Sequence, residues 1–433
     1  MRPNTIHRSG LQQHAFAAMA WMVVAQMGLA GTAQALGATL LIAAGVLLGL
    51  SARRAMVLTA LASLTLLAVS GVAAQQPVTP TVALRTLLAE DWEFRLREYP
   101  EFATFLGDHR YGNRLTDLSR EAISRRQAHD RTMLQRAKAI RASGLKGQDA
   151  ISRELFIWEK TRDTDGQRFP GEVFAIDQLD GLQVGFPQLV AAMPYRSVRD
   201  YDAWLARLHA FPRYVDQVVG LLRDGIGRDW TQPPGPLRSI PAQIAPQLVT
   251  DPAASPLWEP VTRFPEAIAA SERERINGAA RIAILQDVVP ALSRLKSFME
   301  TEYLPKGRVN LAATSLPDGE AFYAWQIKRY TTLPLTAREI HELGLSEVKR
   351  IRAAMDSVVV VTGFKGSFGE FLQFLRSDPR FYHTSAEALL TGYRDIAKRI
   401  DGKLPELFAE LPRTPYGVRP FPDYEAPVQT TAR

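Results

Sequence analysis

The sequence predicts a mostly α-helical fold, and three observations predict it. Apolar side chains recur at three-to-four spacing through most of the chain after residue 80, the signature of amphipathic helices. Helix-start signatures of the capping-box type occur three times in the last hundred residues, at Thr336–Glu339, Ser367–Glu370 and Thr384–Glu387. Prolines concentrate in one stretch, 231–265, where they divide the helical pattern without ending it.

The first helix carries Leu84, Leu87, Leu88, Trp92, Leu96 and Tyr99 on one stripe and should stop at Pro100. Ser119 opens a second with Ile123, Met133, Leu134 and Ile140. A third stripe uses Trp204, Leu205, Leu208, Phe211, Val215, Val218, Val219 and Leu222; Pro212 lies inside it and predicts a break or kink. Between Thr231 and Pro265, nine prolines preclude one long helix and predict an extended connection with short turns. Ile240, Ile244, Leu248, Leu257 and Trp258 predict that this connection is packed against the body. Helical pattern resumes near Glu266 and runs to Tyr303 through Ile268, Ile276, Ile284, Val288, Leu292 and Phe298. The helix opened by Thr336 carries Ile340, Leu343, Val348, Ile351 and Met355, with Leu335 and Ile340 placed as a hydrophobic staple. The β-branched run Val358–Val361 reads either as a strand or as the buried end of that helix.

Composition bounds the function. The chain has 433 residues, 46% of them apolar, and no cysteine, so disulfides, thiolate ligands and a thiol nucleophile are excluded. Net charge is +7. The first 74 residues hold Arg2, Arg8, Arg53 and Arg54 and no acid, leaving 48 basic against 45 acidic residues beyond them. No dense basic patch with interleaved aromatics supports nucleic-acid binding. Arg53–Arg54, the apolar run Met56–Val69 and the small residues before Gln75 have the grammar of a signal peptide, with cleavage expected after Ala74. Upstream, residues 1–50 contain two apolar stretches. They read as membrane helices that would anchor the protein, or as the product of a mis-assigned start; the second reading is favoured. The organisation expected is therefore 1–50 as this upstream segment, 51–74 signal peptide, 75–230 an N-terminal helical region, 231–265 the proline-rich connection and 266–433 a second, incomplete helical region. Localisation is expected to be periplasmic or at the cell surface, with membrane contact only through the leader.

Chemistry is harder to find. Seven histidines stand at positions 7, 14, 109, 129, 209, 341 and 383. A zincin helix needs two histidines four apart, and His341-Glu342 is followed at position 345 by Leu345. His341 reads as a first-turn residue, His383 as a turn residue before a cap, and His109, in Gly107-Asp-His-Arg-Tyr-Gly112, as part of a polar loop. No nucleophile elbow, phosphate loop or dinucleotide fingerprint occurs. Two aromatic and basic clusters remain, Phe322–Thr332 and Arg413–Pro420. From them Tyr323, Tyr330, Arg413, Tyr416 and Arg419 are candidate substrate-binding residues, able to line a cleft and fork a carboxylate. The bland reading is packing between helices with polar ends at the surface.

Several segments carry a family resemblance: Glu98–Asp108, Tyr201–Leu208 with Phe211–Tyr214, Ala321–Trp325 with Tyr330–Thr332, Glu339–Val348, Phe374–Tyr382 and Leu411–Val418. In this order and spacing the chain resembles the bacterial domain-of-unknown-function family 885. The resemblance implies a gluzincin-like half-shell of helices, export, and a zinc metallopeptidase that hydrolyses peptides. It also implies a metal-binding segment H-E-A-x-P-G-H-H downstream of the Arg413–Val418 region, which no position here matches. The expectation is the truncated amino-terminal part of such a protein. It would be catalytically incompetent alone, with no catalytic residue, metal ligand or cofactor of its own and zinc only in the longer relatives. Its partners would be a peptide and a missing C-terminal half. The alternative is a non-catalytic envelope protein that holds peptides.

Overall fold

The computed structural model describes residues 79–179, 181–421 and 426. The expected signal peptide and the doubtful segment before it lie outside the described residues. Among the described residues the fold is all-α and no strand occurs. Helix α1 spans Pro80–Glu98 and α2 Pro100–Phe105. The joint is Tyr99, held at φ −126°, ψ 74°, the non-helical region that a residue before proline is driven to. Helix α3 (Arg120–Ala139) starts at Ser119, whose hydroxyl accepts from the Ala122 N–H; such a cap contributes about 1 kcal/mol. Helix α4 (Gln148–Gly166) packs along α3, and α1 lies against both, burying Leu87, Met133, Ala137 and Phe156.

The main core forms around α6 (Val198–Gly227), preceded by α5 (Leu182–Ala192). Of the break or kink expected at Pro212, the break does not occur: α6 runs through it for 30 residues. Proline removes one N–H from the ladder. Phe211, Leu208, Val215 and Leu222 are almost fully buried on either side of it, and each such burial contributes about 1.5–3 kcal/mol, enough to carry the helix across the gap. The proline-rich segment is not extended. It is a string of short helical turns, including α7 (Pro234–Leu237) and α8 (Ile240–Ile244), each with proline in its first turn. There the missing N–H costs nothing. Ile240, Ile244 and Leu257 are buried, so the segment is part of the core.

A helical run from Ala270 to Tyr303 closes this core. It consists of α9 (Ala270–Ile282), a π turn (283–288), α10 (Val289–Phe298) and a second π turn (299–303). Helix α11 (Gly319–Thr331) caps a smaller aromatic cluster of Phe169, Trp230, Phe322 and the half-buried Trp325.

Beyond α11 the character changes. Helix α12 (Ala337–Val361) and α13 (Phe368–Ser377) both begin with the expected capping boxes. Glu339 accepts from the Thr336 N–H at 2.7 Å and Glu370 from the Ser367 N–H at 2.7 Å. Helix α14 (Ala386–Asp401) begins one residue later than expected, with Ser385 as its cap and no box. A short α15 (Leu404–Leu407) follows. In α12 only Val359 is buried, in α13 only Phe371, and in α14 nothing. The run Val358–Val361 is not a strand but the helical end of α12, and that end is buried only at Val359, with Val360 and Val361 77% and 86% exposed.

Candidate functional site

The five sequence-predicted substrate residues fall into two groups. Tyr323 and Tyr330 lie on α11 and are exposed. Arg413, Tyr416 and Arg419 follow α15 in a tail that lies along α14, where the Tyr416 hydroxyl donates to the Ala397 carbonyl at 3.2 Å and Arg394 donates to the Val418 carbonyl at 3.1 Å. Among the described residues no hydrogen bond, ion pair or ring contact joins the two groups.

What α11 does build is a groove against α4. Trp158, Thr161, Arg162 and Asp165 line it from α4, and Trp325, Lys328 and Arg329 from α11, around a cavity of about 170 Å³. Both helices present these residues at one-turn spacing, hence on one face. Trp325 is fixed on several sides. Its indole N–H donates to the Arg162 carbonyl at 3.3 Å, its ring lies 5.7 Å from Phe169, and the Arg329 guanidinium lies 5.3 Å from its centroid. A side chain at Gly166 would collide with that ring. Trp158 is exposed, with the Arg162 guanidinium 5.1 Å away. Arg162 pairs with Asp163 at 2.8 Å, whereas Lys328 and Arg329 have no carboxylate partner among the described residues. Two further polar atoms, Thr164 Oγ1 and Gln326 Oε1, are buried on these helices without a hydrogen-bond partner. The α11 half of the groove stands in the cluster Phe322–Thr332 that the sequence singled out. The α4 half gave no signal of its own, because Trp158 and Arg162 meet α11 only in the tertiary fold.

A wider depression of about 500 Å³ lies along α14 beside His383, Glu387 and Asp395. It is one face of one helix and the turn before it, so it cannot enclose a ligand, and we give it no role.

The charged interior is structural. Arg207 on α6 is fully buried, with no carboxylate in bonding range among the described residues. It donates to the Arg114 and Pro100 carbonyls at 2.8 and 3.1 Å and to Thr104 Oγ1 at 2.7 Å, stitching α2 and the following loop to α6. Burial pushes its pKa down to about 10. Lys160 bridges Asp91 and Asp130 at 2.9 and 2.7 Å, and His129 bonds Asp91 at 2.9 Å, joining α1, α3 and α4. Desolvation opposes the Lys160 charge, but the two carboxylates outweigh it and hold its pKa above the ordinary value.

Among the described residues the zinc implied by the family resemblance finds no donor set to fit it. His109, His129, His209, His341 and His383 lie on separate elements. His209 pairs only with Asp287, at 2.7 Å. Among the described residues no group of three or more His, Asp or Glu side chains could hold a metal ion, so no step is routed through one.

Comparison with known proteins places the chain. The family described as "Bacterial protein of unknown function (DUF885)" matches residues 100–433. No curated protein matches. A solved structure, described as "the putative lipoprotein from Colwellia psychrerythraea", shares the fold with a TM-score of 0.72 at 18% identity over 80% of this chain. The present chain spans 63% of that one. Among the described residues no helix is long and apolar enough to cross a membrane.

Proposed function

The chain belongs to the DUF885 family, and from that premise we propose that it is the amino-terminal, peptide-holding helical portion of an exported, peptidase-like protein, unable to cleave peptide bonds by itself. The observation that carries this reading is the apolar layer of α12–α14. Leu343, Val348, Ile351, Met355 and Val358 form a stripe along α12 that is exposed throughout, and Leu389, Tyr393, Ile396 and Ile400 do the same along α14. Monomeric proteins seldom leave contiguous apolar surface of this extent uncovered, so the layer is suited to receive further helices. The solved relative has length to spare for them, since more than a third of it lies outside the match. Its description as a lipoprotein supports export.

The test is chemical. The purified chain should bind zinc at well below one ion per chain after dialysis and should leave a mixed peptide library uncut. Stoichiometric zinc together with peptide hydrolysis would overturn the reading.

A further inference from the structure

We propose that the groove between α4 and α11 is a binding site for an aromatic carboxylate. The site belongs to the packed body and does not depend on the reading above.

Two features point to that class of ligand. The walls carry two indoles, the exposed Trp158 and the fixed Trp325, which offer flat apolar surface for a ring to stack on. The rim carries three cations, Arg162, Lys328 and Arg329, against one carboxylate, Asp165. Only Arg162 of the three has an acidic partner among the described residues, so two positive charges beside aromatic walls stand ready for an anion. The cavity, about 170 Å³, suits one ring and its carboxylate arm and not a folded domain.

The chemistry has two sources, a free aromatic acid and the last residue of a peptide that ends in an aromatic side chain. Calorimetric titration of the full chain with N-acetylphenylalanine, with Gly-Gly-Phe, and with the C-terminal amide of each decides between them. Saturable binding of at least one acid, with its amide weaker by roughly tenfold or more, is the expected result. The tighter of the two acids identifies the source. Lys328→Gln and Arg329→Gln should each weaken binding roughly tenfold. Trp158→Ala, at an exposed position of the groove wall, should weaken it too. Lys296→Gln, at a cation paired with Glu300 on α10, should leave it unchanged. Equal binding of acid and amide, indifference to Lys328→Gln and Arg329→Gln, or no saturation by either acid up to about 10 mM would overturn the assignment.

Discussion

Replacing two residues of the α12 stripe, Val348→Glu with Val358→Lys, separates an uncovered apolar face from a packed one. Val348 is 66% and Val358 55% exposed, so roughly a third to a half of each side chain's burial is at stake. Full burial of a valine is worth about 1.5–3 kcal/mol, which puts the loss at about 1–2 kcal/mol for the pair. Gains offset it. Glutamate and lysine are better helix formers than valine by a few tenths of a kcal/mol each. The new carboxylate stands one turn before Arg352, and the new cation lies in the last turn of α12, where the helix dipole favours it. The net change in unfolding free energy should therefore stay within about 1 kcal/mol, read from urea unfolding of the purified chain. Binding of an apolar fluorescent dye should fall at the same time. Were the stripe buried, two charges placed in it would cost several kcal/mol. A measured loss above about 3 kcal/mol would refute the inference that α12 has an open face.

Three further outcomes follow from the geometry. Arg207→Met should destabilise the chain by about 2–4 kcal/mol, because the Arg114 and Pro100 carbonyls and Thr104 lose a buried donor while the cost of burying the guanidinium is relieved; a change under about 1 kcal/mol in chemical denaturation would contradict that bookkeeping. Gly166→Ala forces its new methyl against the Trp325 ring and should cost about 1–3 kcal/mol, with a change in tryptophan fluorescence; an unperturbed spectrum at full stability would count against the packing described. Bonds accepted from Thr336 and Ser367 hold the Glu339 and Glu370 carboxyls below the usual 4.5. Their stabilisation is thus present above about pH 4.5 and lost as pH falls through the lower folded values. Protection factors of the amides at the starts of α12 and α13, with the intrinsic pH dependence of exchange divided out, should fall on acidification, and Glu339→Gln should remove that fall at α12; an equal fall in the variant would contradict it.

What was legible in the sequence was local. The caps at Ser119, Thr336 and Ser367 need only a hydroxyl and, for the boxes, a glutamate three residues on, and short spacing shows them directly. At Thr384-Ser385 two competent hydroxyls stand side by side, and the pattern alone favoured the wrong one. Pro212 obeys the local rule for a helix break, yet α6 continues, because side chains distant in sequence pack on both sides of it. Val358–Val361 has strand composition, and whether its end is covered depends on neighbours that no local pattern reports. The groove was half legible. Trp325, Lys328 and Arg329 sit in a cluster dense enough to notice, while Trp158 and Arg162 stand more than a hundred residues away and join them only through the docking of α11 on α4.

Hydrogen exchange resolved along the whole chain tests most directly whether a closed body carries an open helical layer. Amides of α6, α9 and α10, which surround the buried core, should exchange only through global unfolding. Those of α12 and α14 should exchange faster by orders of magnitude, since their helices rest on few buried side chains. Equal protection across all five helices would mean that α12 and α14 are packed as firmly as the core, and the open layer would have to be abandoned.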